Sequence, residues 1–201
     1  MPSTRPTREA LLDAAYDVVV AGGWETARML DVAATAGVSR QTLYNEFGSK
    51  DALAEALAMR EAERFIDGNE AFLHASHFER PVDAVAAVTA STLRQAADNP
   101  LLKATLTNDA GGLLPFLTSR GEPVVVAARA SMERYFHENW PHLPDADVVL
   151  AAEALARLTI SYLVLPSDAV DASADVIAAQ LAHVVDRLLT SPDEGPSHEH
   201  H

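Results

Sequence analysis

Cysteine is absent from this chain, which excludes a disulfide framework and any thiolate-held metal site. Long apolar runs are absent too. None approaches the roughly 20 residues needed to cross a bilayer, so no membrane partner is expected. The opening Met1, Pro2, Ser3, Thr4 and Arg5 lack the apolar stretch of a secretory signal, and the expected setting is the cytoplasm. Period-two alternation is scarce, which argues against a sheet. There is no internal repeat. Gly111 and Gly112 have no strand before them and no Lys-Ser/Thr pair after them, so they do not form a phosphate loop. Nothing pairs a nucleophile with a base or spaces metal ligands along the chain, so no enzyme, cofactor or metal is expected.

Positive charge is also in short supply. The 201 residues carry 15 basic and 29 acidic side chains, a net charge of −14. The imbalance is uneven: residues 1–53 hold five basic groups against seven acidic, and the remaining chain ten against twenty-two. Acidity lies mostly beyond the N-terminal segment, where it would not meet a polyanion. Any phosphate contact there rests on a few well-placed cations and helix N-termini.

What is present is helix. Ala and Leu recur at spacings of three and four, which predicts an all-α protein. A first helix is expected from Arg8 to Ala21, capped by Thr7 and stopped by Gly22 and Gly23. Trp24 then reads as a packing residue. A short second helix fits Arg28–Ala36 and ends at Gly37. A third fits Arg40–Phe47, with Ser39 as N-cap and Val38 and Leu43 as a hydrophobic staple. A fourth starts after the Ser49 cap and runs to about Phe72. Prolines divide the remainder into Pro81–Ala97, two pieces within Leu101–Leu117 broken at Gly111-Gly112, Pro123–Trp140, Asp145–Leu165 and Ala172–Thr190. The domains expected are 1–50, 51–190 and a polar, unstructured tail 191–201. His198, His200 and His201 in that tail read as an engineered remnant rather than a metal site. His74 and His77 near Glu79 read as loop residues.

Residues 31–47 form two short helices joined by a glycine-containing turn, with Ala33, Val38, Leu43 and Phe47 as a small shared core. The second helix then presents Arg40, Gln41, Thr42, Tyr44 and Asn45, hydrogen-bonding side chains suited to base edges and phosphates. Arg28, Ser39 and Lys50 complete the expected DNA-contacting set, Lys50 as a phosphate clamp at the start of the fourth helix. Arg5 and Arg8 are candidates for a minor-groove arm.

The stretch 36–53, Ala-Gly-Val-Ser-Arg-Gln-Thr-Leu-Tyr-Asn-Glu-Phe-Gly-Ser-Lys-Asp-Ala-Leu, closely resembles the tetracycline-repressor (TetR) family. The preceding Gly-Gly-Trp and Asp31-Val-Ala-Ala keep that family's spacing, and the resemblance spans roughly residues 8–57. It implies an N-terminal three-helix DNA-binding domain, a helical effector-binding and dimerisation domain, and a homodimer packed through the last two long helices. It also implies a repressor on a palindromic operator of double-stranded DNA. Three positions depart from the pattern: Ala27 where a Thr is common, with Thr26 as a cap one residue early; Gln41 where glycine is common; and Glu46 beside the DNA face.

For the effector, the apolar candidates are Phe65, Phe72, Leu93, Leu106, Leu113, Phe116, Leu117, Met132, Phe136 and Tyr162. Thr89, Thr92, Gln95, Asn108, Arg129 and Arg157 are candidate polar anchors. This list points to a small hydrophobic effector such as a fatty acid or acyl derivative. The dimer surface is expected within Val148–Leu163 and Val176–Leu189, with Ala151, Ala152, Leu155, Leu158 and Thr159 on one helix and Ile177, Leu181, Val184, Val185 and Leu188 on the other. The competing function is a helical ligand-binding scaffold that has lost DNA binding, which the low basicity and Glu46 favour.

Overall fold

Glycine and serine punctuate the N-terminal third so regularly that its helices follow almost from local chemistry. In the computed structural model, which describes residues 8–107, 112–165 and 173–190, helix α1 covers Arg8–Gly22. It ends at Gly23, whose φ of 79° suits a residue without Cβ. Helix α2 covers Met29–Thr35 and stops before Gly37, φ 66°. Helix α3 covers Arg40–Phe47 and is capped by Ser39, whose hydroxyl accepts from the Thr42 amide at 3.1 Å. Helix α4, Lys50–Ala75, is capped in the same way by Ser49 on the Ala52 amide at 3.0 Å. Thr26 does not cap α2 as expected. Its hydroxyl donates to the Gly22 carbonyl at 2.6 Å and closes the end of α1, while the Asp31 carboxylate accepts from the Arg28 amide at 3.1 Å and closes the start of α2.

The remaining elements are α5 Pro81–Asp98, α6 Pro100–Thr107, a short 3-10 turn Leu114–Leu117, α7 Glu122–Asn139, α8 Asp145–Val164 and α9 Ala174–Thr190. No strand occurs among the described residues, so the chain is all-α. No helix among them is long and apolar enough to cross a membrane. Thr7, Arg5, Asn108, Gly111 and the tail 191–201 lie outside the described residues.

Two apolar clusters organise the chain. The first gathers Leu11, Ala15 and Val19 of α1, Val32 and Ala33 of α2, Leu43 and Phe47 of α3, and Leu53 and Leu57 of α4. Full burial of each large member stabilises the fold by about 1.5–3 kcal/mol. The second gathers α5, α7, α8 and α9 around Val85, Phe136, Val148 and Val185. Helix α4 joins them. Its 26 residues span about 39 Å, with Leu53 and Leu57 in the first cluster and Leu73 in the second. The first cluster reaches Ala58 and borrows Leu101, Leu113 and Phe116 from the C-terminal part. It therefore extends past residue 50, where the sequence put the division.

Gly112, where the sequence breaks two helical pieces, is also a contact glycine. The Trp24 ring lies where its Cβ would be, so a side chain there would displace the indole. Trp24 thus packs the α1–α2 connection against the C-terminal part, the packing role expected of it.

Several residues assigned to other roles are core. Leu93, Phe136 and the half-buried Phe72 and Tyr162 pack in the second cluster, and Phe116 packs in the first. Ala151, Ala152, Leu155, Ile177, Leu181 and Val185, expected at a dimer surface, are buried within their own chain. Their periodicity is real, but it faces α5, α7 and each other. Along α8 and α9 the exposed large apolar side chains are Val149, Leu150 and Val176, together with Val184 of the expected set.

Candidate nucleic-acid interface and ligand cavity

Helix α3 buries Leu43 and Phe47 and turns its other side to solvent. Arg28, Ser39, Arg40, Gln41 and Asn45 are exposed, and Thr42 and Tyr44 half-buried. On the exposed side the polar groups form ladders one turn apart. Arg40 Nη2 donates to Tyr44 Oη at 3.3 Å, with the guanidinium 5.1 Å from that ring. Gln41 Nε2 donates to Asn45 Oδ1 at 2.8 Å. The Ser39 and Thr42 hydroxyls share a hydrogen bond of 2.9 Å. Such pairs add only tenths of a kcal/mol to the helix but restrict its side chains to one outward arrangement.

Two expected contributors sit differently. The Lys50 ammonium donates to the Trp24 carbonyl at 2.8 Å and lies 5.0 Å from the Trp24 ring, so its charge anchors the α1–α2 connection instead of projecting. Arg8 pairs with Glu46 at 3.1 Å and stacks 4.5 Å from the Phe47 ring. Glu46 therefore tethers the start of α1 to α3 with its charge balanced. Arg28 and Arg40 remain exposed with no carboxylate partner among the described residues.

Between α4, α5, α6, α7, α8 and the 3-10 turn lies a cavity of about 160 Å³. The expected residues Phe65, Thr89, Leu113, Leu117 and Met132 line it, as does the anchor Thr92. Phe72, Leu93, Leu106, Phe116, Phe136 and Tyr162 do not; most fill the solid core, and Leu106 is 36% exposed. Gln95 donates to Ser91, and Arg129 and Arg157 both turn to Glu153, holding its carboxyl below the ordinary range by hydrogen bonding. None of the three reaches the cavity. Leu155 and Thr159, expected at the dimer surface, line it instead.

Sequence reasoning missed Ala58, Ala62, Ile66, Asn69, Ala128, Ser131 and Ile160. Their signal was a run of small or apolar residues at helical spacing along α4 (58, 62, 66). Small side chains make room, whereas a search for large ones finds the solid core.

The polar groups of the wall are mostly satisfied. The Thr92 hydroxyl donates to the Val88 carbonyl at 2.8 Å, and Thr105 to Leu101 at 2.8 Å. Asn99 Oδ1 accepts from the Leu102 amide at 2.9 Å. Ser131 donates to Glu70, the largest influence holding that carboxyl below its ordinary value, with Arg134 adding to it. Glu61 accepts from Arg60 at 2.9 Å and from Arg64 at 3.0 Å. Arg60 is 6% exposed and reaches on to Asp13 of α1 at 2.8 Å. This buried arginine follows Leu53 and Leu57 in helical phase, the signal that could have revealed it. The exception is Thr89: 2% exposed, with a hydroxyl that has no hydrogen-bond partner among the described residues. Leaving such a group unpaired costs about 1–3 kcal/mol. Among the described residues no group of three His, Asp or Glu side chains is placed to hold a metal.

The N-terminal segment 11–57 matches the model for bacterial regulatory proteins of the tetR family. Residues 81–187 match that for the bacterial tetracyclin repressor C-terminal domain. The chain belongs to the TetR family. Members of this family are DNA-binding transcriptional regulators with a helix-turn-helix and a ligand-binding domain. The chain is 35% identical to the HTH-type transcriptional regulator AlkX of Mycobacterium tuberculosis over 179 residues, 89% of this chain and 82% of that one. It is similar to the crystal structure of the TetR family repressor AlkX from Dietzia sp. strain DQ12-45-1b, with a TM-score of 0.72, 28% identity, and 93% and 96% of the two chains covered. FadR of Bacillus subtilis, solved with stearoyl-CoA, shares the fold alone, at a TM-score of 0.51 and 17% identity over 92% of this chain and all of that one.

Proposed function

We propose that this chain is a one-component repressor that acts in the cytoplasm as a homodimer on a palindromic operator and is released by a small hydrophobic effector. The observation that carries this reading is the outward face of α3, where Arg40, Gln41, Tyr44 and Asn45 form paired polar ladders above a buried Leu43 and Phe47. In the proposed complex α3 enters the major groove, Arg40 and Gln41 meet base edges, Ser39, Thr42, Tyr44 and Asn45 hold base edges or phosphates, and Arg28 meets backbone. Lys50 supports this face from behind through Trp24. The domains are proposed as a DNA-binding head and an effector-binding and dimerisation body joined by α4. A second copy would cover the exposed Val149, Leu150, Val176 and Val184. The repressor function and the hydrophobic effector take support from the Dietzia relative, described as a repressor implicated in biodegradation of n-alkanes.

The cavity and the head share walls. Leu101 and Leu113 line the one and belong to the core of the other, and Glu61 touches α1 through Arg60 and Asp13. An effector that favours one arrangement of these walls must weaken DNA binding by the factor by which DNA weakens effector binding.

Selection of bound fragments from random or genomic DNA tests the reading, with Arg40→Ala and Tyr44→Ala as controls. A palindromic site that is lost in both variants and weakens with added salt is the expected outcome. The inward Lys50 and the Arg8–Glu46 pair leave the face poor in free cations, which favours the scaffold reading; no enriched site in the same selection would establish it.

A further inference from the structure

The wall of the cavity restricts what can enter it, and this restriction rests on the effector reading above. Among the described residues no Lys, Arg or His lines it. Its one charged group, Glu61, is a carboxylate already engaged by Arg60 and Arg64. A carboxylate drawn from water into this space would find no compensating cation, and burial of an unpaired charge is strongly disfavoured. A nucleotide-bearing thioester fares worse, since its phosphates add charge. Among the lining residues is Thr89, 2% exposed, whose hydroxyl has no hydrogen-bond partner among the described residues.

We infer that the effector is a compact, electrically neutral hydrophobic molecule bearing one hydroxyl or carbonyl oxygen, which hydrogen-bonds to Thr89. This narrows the fatty acid or acyl derivative expected from the sequence to an uncharged compound. Thr89 supplies orientation and the preference for an oxygen-bearing ligand, and the hydrocarbon part supplies affinity.

Three probes of one chain length separate the possibilities: octan-1-ol, octanoate and octylamine, titrated calorimetrically into the full chain at pH 8, where the last two are ions. Octan-1-ol is expected to bind at least about 10-fold more tightly than either ion. Thr89→Val is expected to weaken octan-1-ol by roughly 5-fold while leaving ethylbenzene, which has no hydrogen-bonding group, within about 2-fold. Octanoate or octylamine binding as tightly as octan-1-ol would overturn the inference and leave the effector reading intact. So would a Thr89→Val chain that binds octan-1-ol as the parent does. Should no probe bind while the DNA selection still returns a site, the effector role of the cavity falls, and this inference with it.

Discussion

On the outward turns of α3 the polar side chains satisfy one another, whereas in the wall of the cavity one polar side chain has no partner among the described residues. Arg40 leans on Tyr44 and Gln41 holds Asn45, all in contact with water, so exchanging these bonds for bonds to another molecule costs little. Thr89 is sealed from water and unpaired, so it loses stability until something reaches it. The first arrangement suits a large polar partner that approaches from solvent. The second suits a small, mostly apolar one that must be engulfed. On the proposed reading one chain carries two recognition surfaces built on opposite principles, and the helix that links them, α4, is embedded in both cores.

The sharpest way to break this contrast is at Arg40. Arg40→Ala is expected to cost about 1–3 kcal/mol of operator binding, roughly 5- to 150-fold, with the unfolding midpoint almost unmoved because the side chain is exposed. Anisotropy titration and urea melts check the two halves; a large loss of stability would mean that α3 is held by its ladders and not by Leu43 and Phe47.

Next comes a matched pair in the cavity wall. Thr92→Val removes a hydroxyl bonded to Val88 and Asn69 and should lower stability by about 1 kcal/mol, whereas Thr89→Val removes an unpaired one and should raise it by about 1 kcal/mol. Urea unfolding without ligand reads both. The same sign for both variants would erase the distinction between the two hydroxyls.

A smaller effect is expected at the Arg8–Glu46 pair, whose partners are both solvent-accessible. Arg8→Ala should cost under about 1 kcal/mol, less in high salt. The smallest concerns Glu70. Its carboxyl lies below the ordinary value chiefly because Ser131 donates to it. The stabilisation it brings is therefore complete above the ordinary carboxylate range and is lost as pH falls through the lowered value. In Ser131→Ala, NMR titration should find the Glu70 carboxyl shifted back upward and the acid limb of the stability curve flattened.

The head was legible because its signals are local. Ser39, Gly48 and Ser49 cap or end helices within a few residues of themselves, and Val32, Leu43 and Phe47 show their inward phase directly. The fate of the charged residues was not, since Lys50 turns to Trp24 across 26 positions and Arg60 to Asp13 across 47. The cavity was legible only in part. Phe65, Leu113 and Met132 line it, while Leu93 and Phe136, equally apolar and on the same helices as lining residues, fill solid core. Pattern identifies an inward face; whether that face meets a neighbour or a void depends on how separate helices approach. The small residues Ala58, Ala62 and Ala128 carry that information and are the ones a search for hydrophobic bulk passes over. The expected dimer residues divide in the same way: Leu155, Leu181 and Val185 are buried in their own bundle, while Val184 is exposed on α9.

The most direct test joins the two surfaces. A labelled operator recovered by selection is titrated with the full chain in the absence of octan-1-ol and at saturation. The expected result is a weaker operator affinity with the alcohol bound, by the same factor by which operator weakens alcohol binding, with Thr89→Val requiring more alcohol for the same release. Equal operator affinity with and without bound alcohol would contradict the linkage and leave the two surfaces as independent sites on one scaffold.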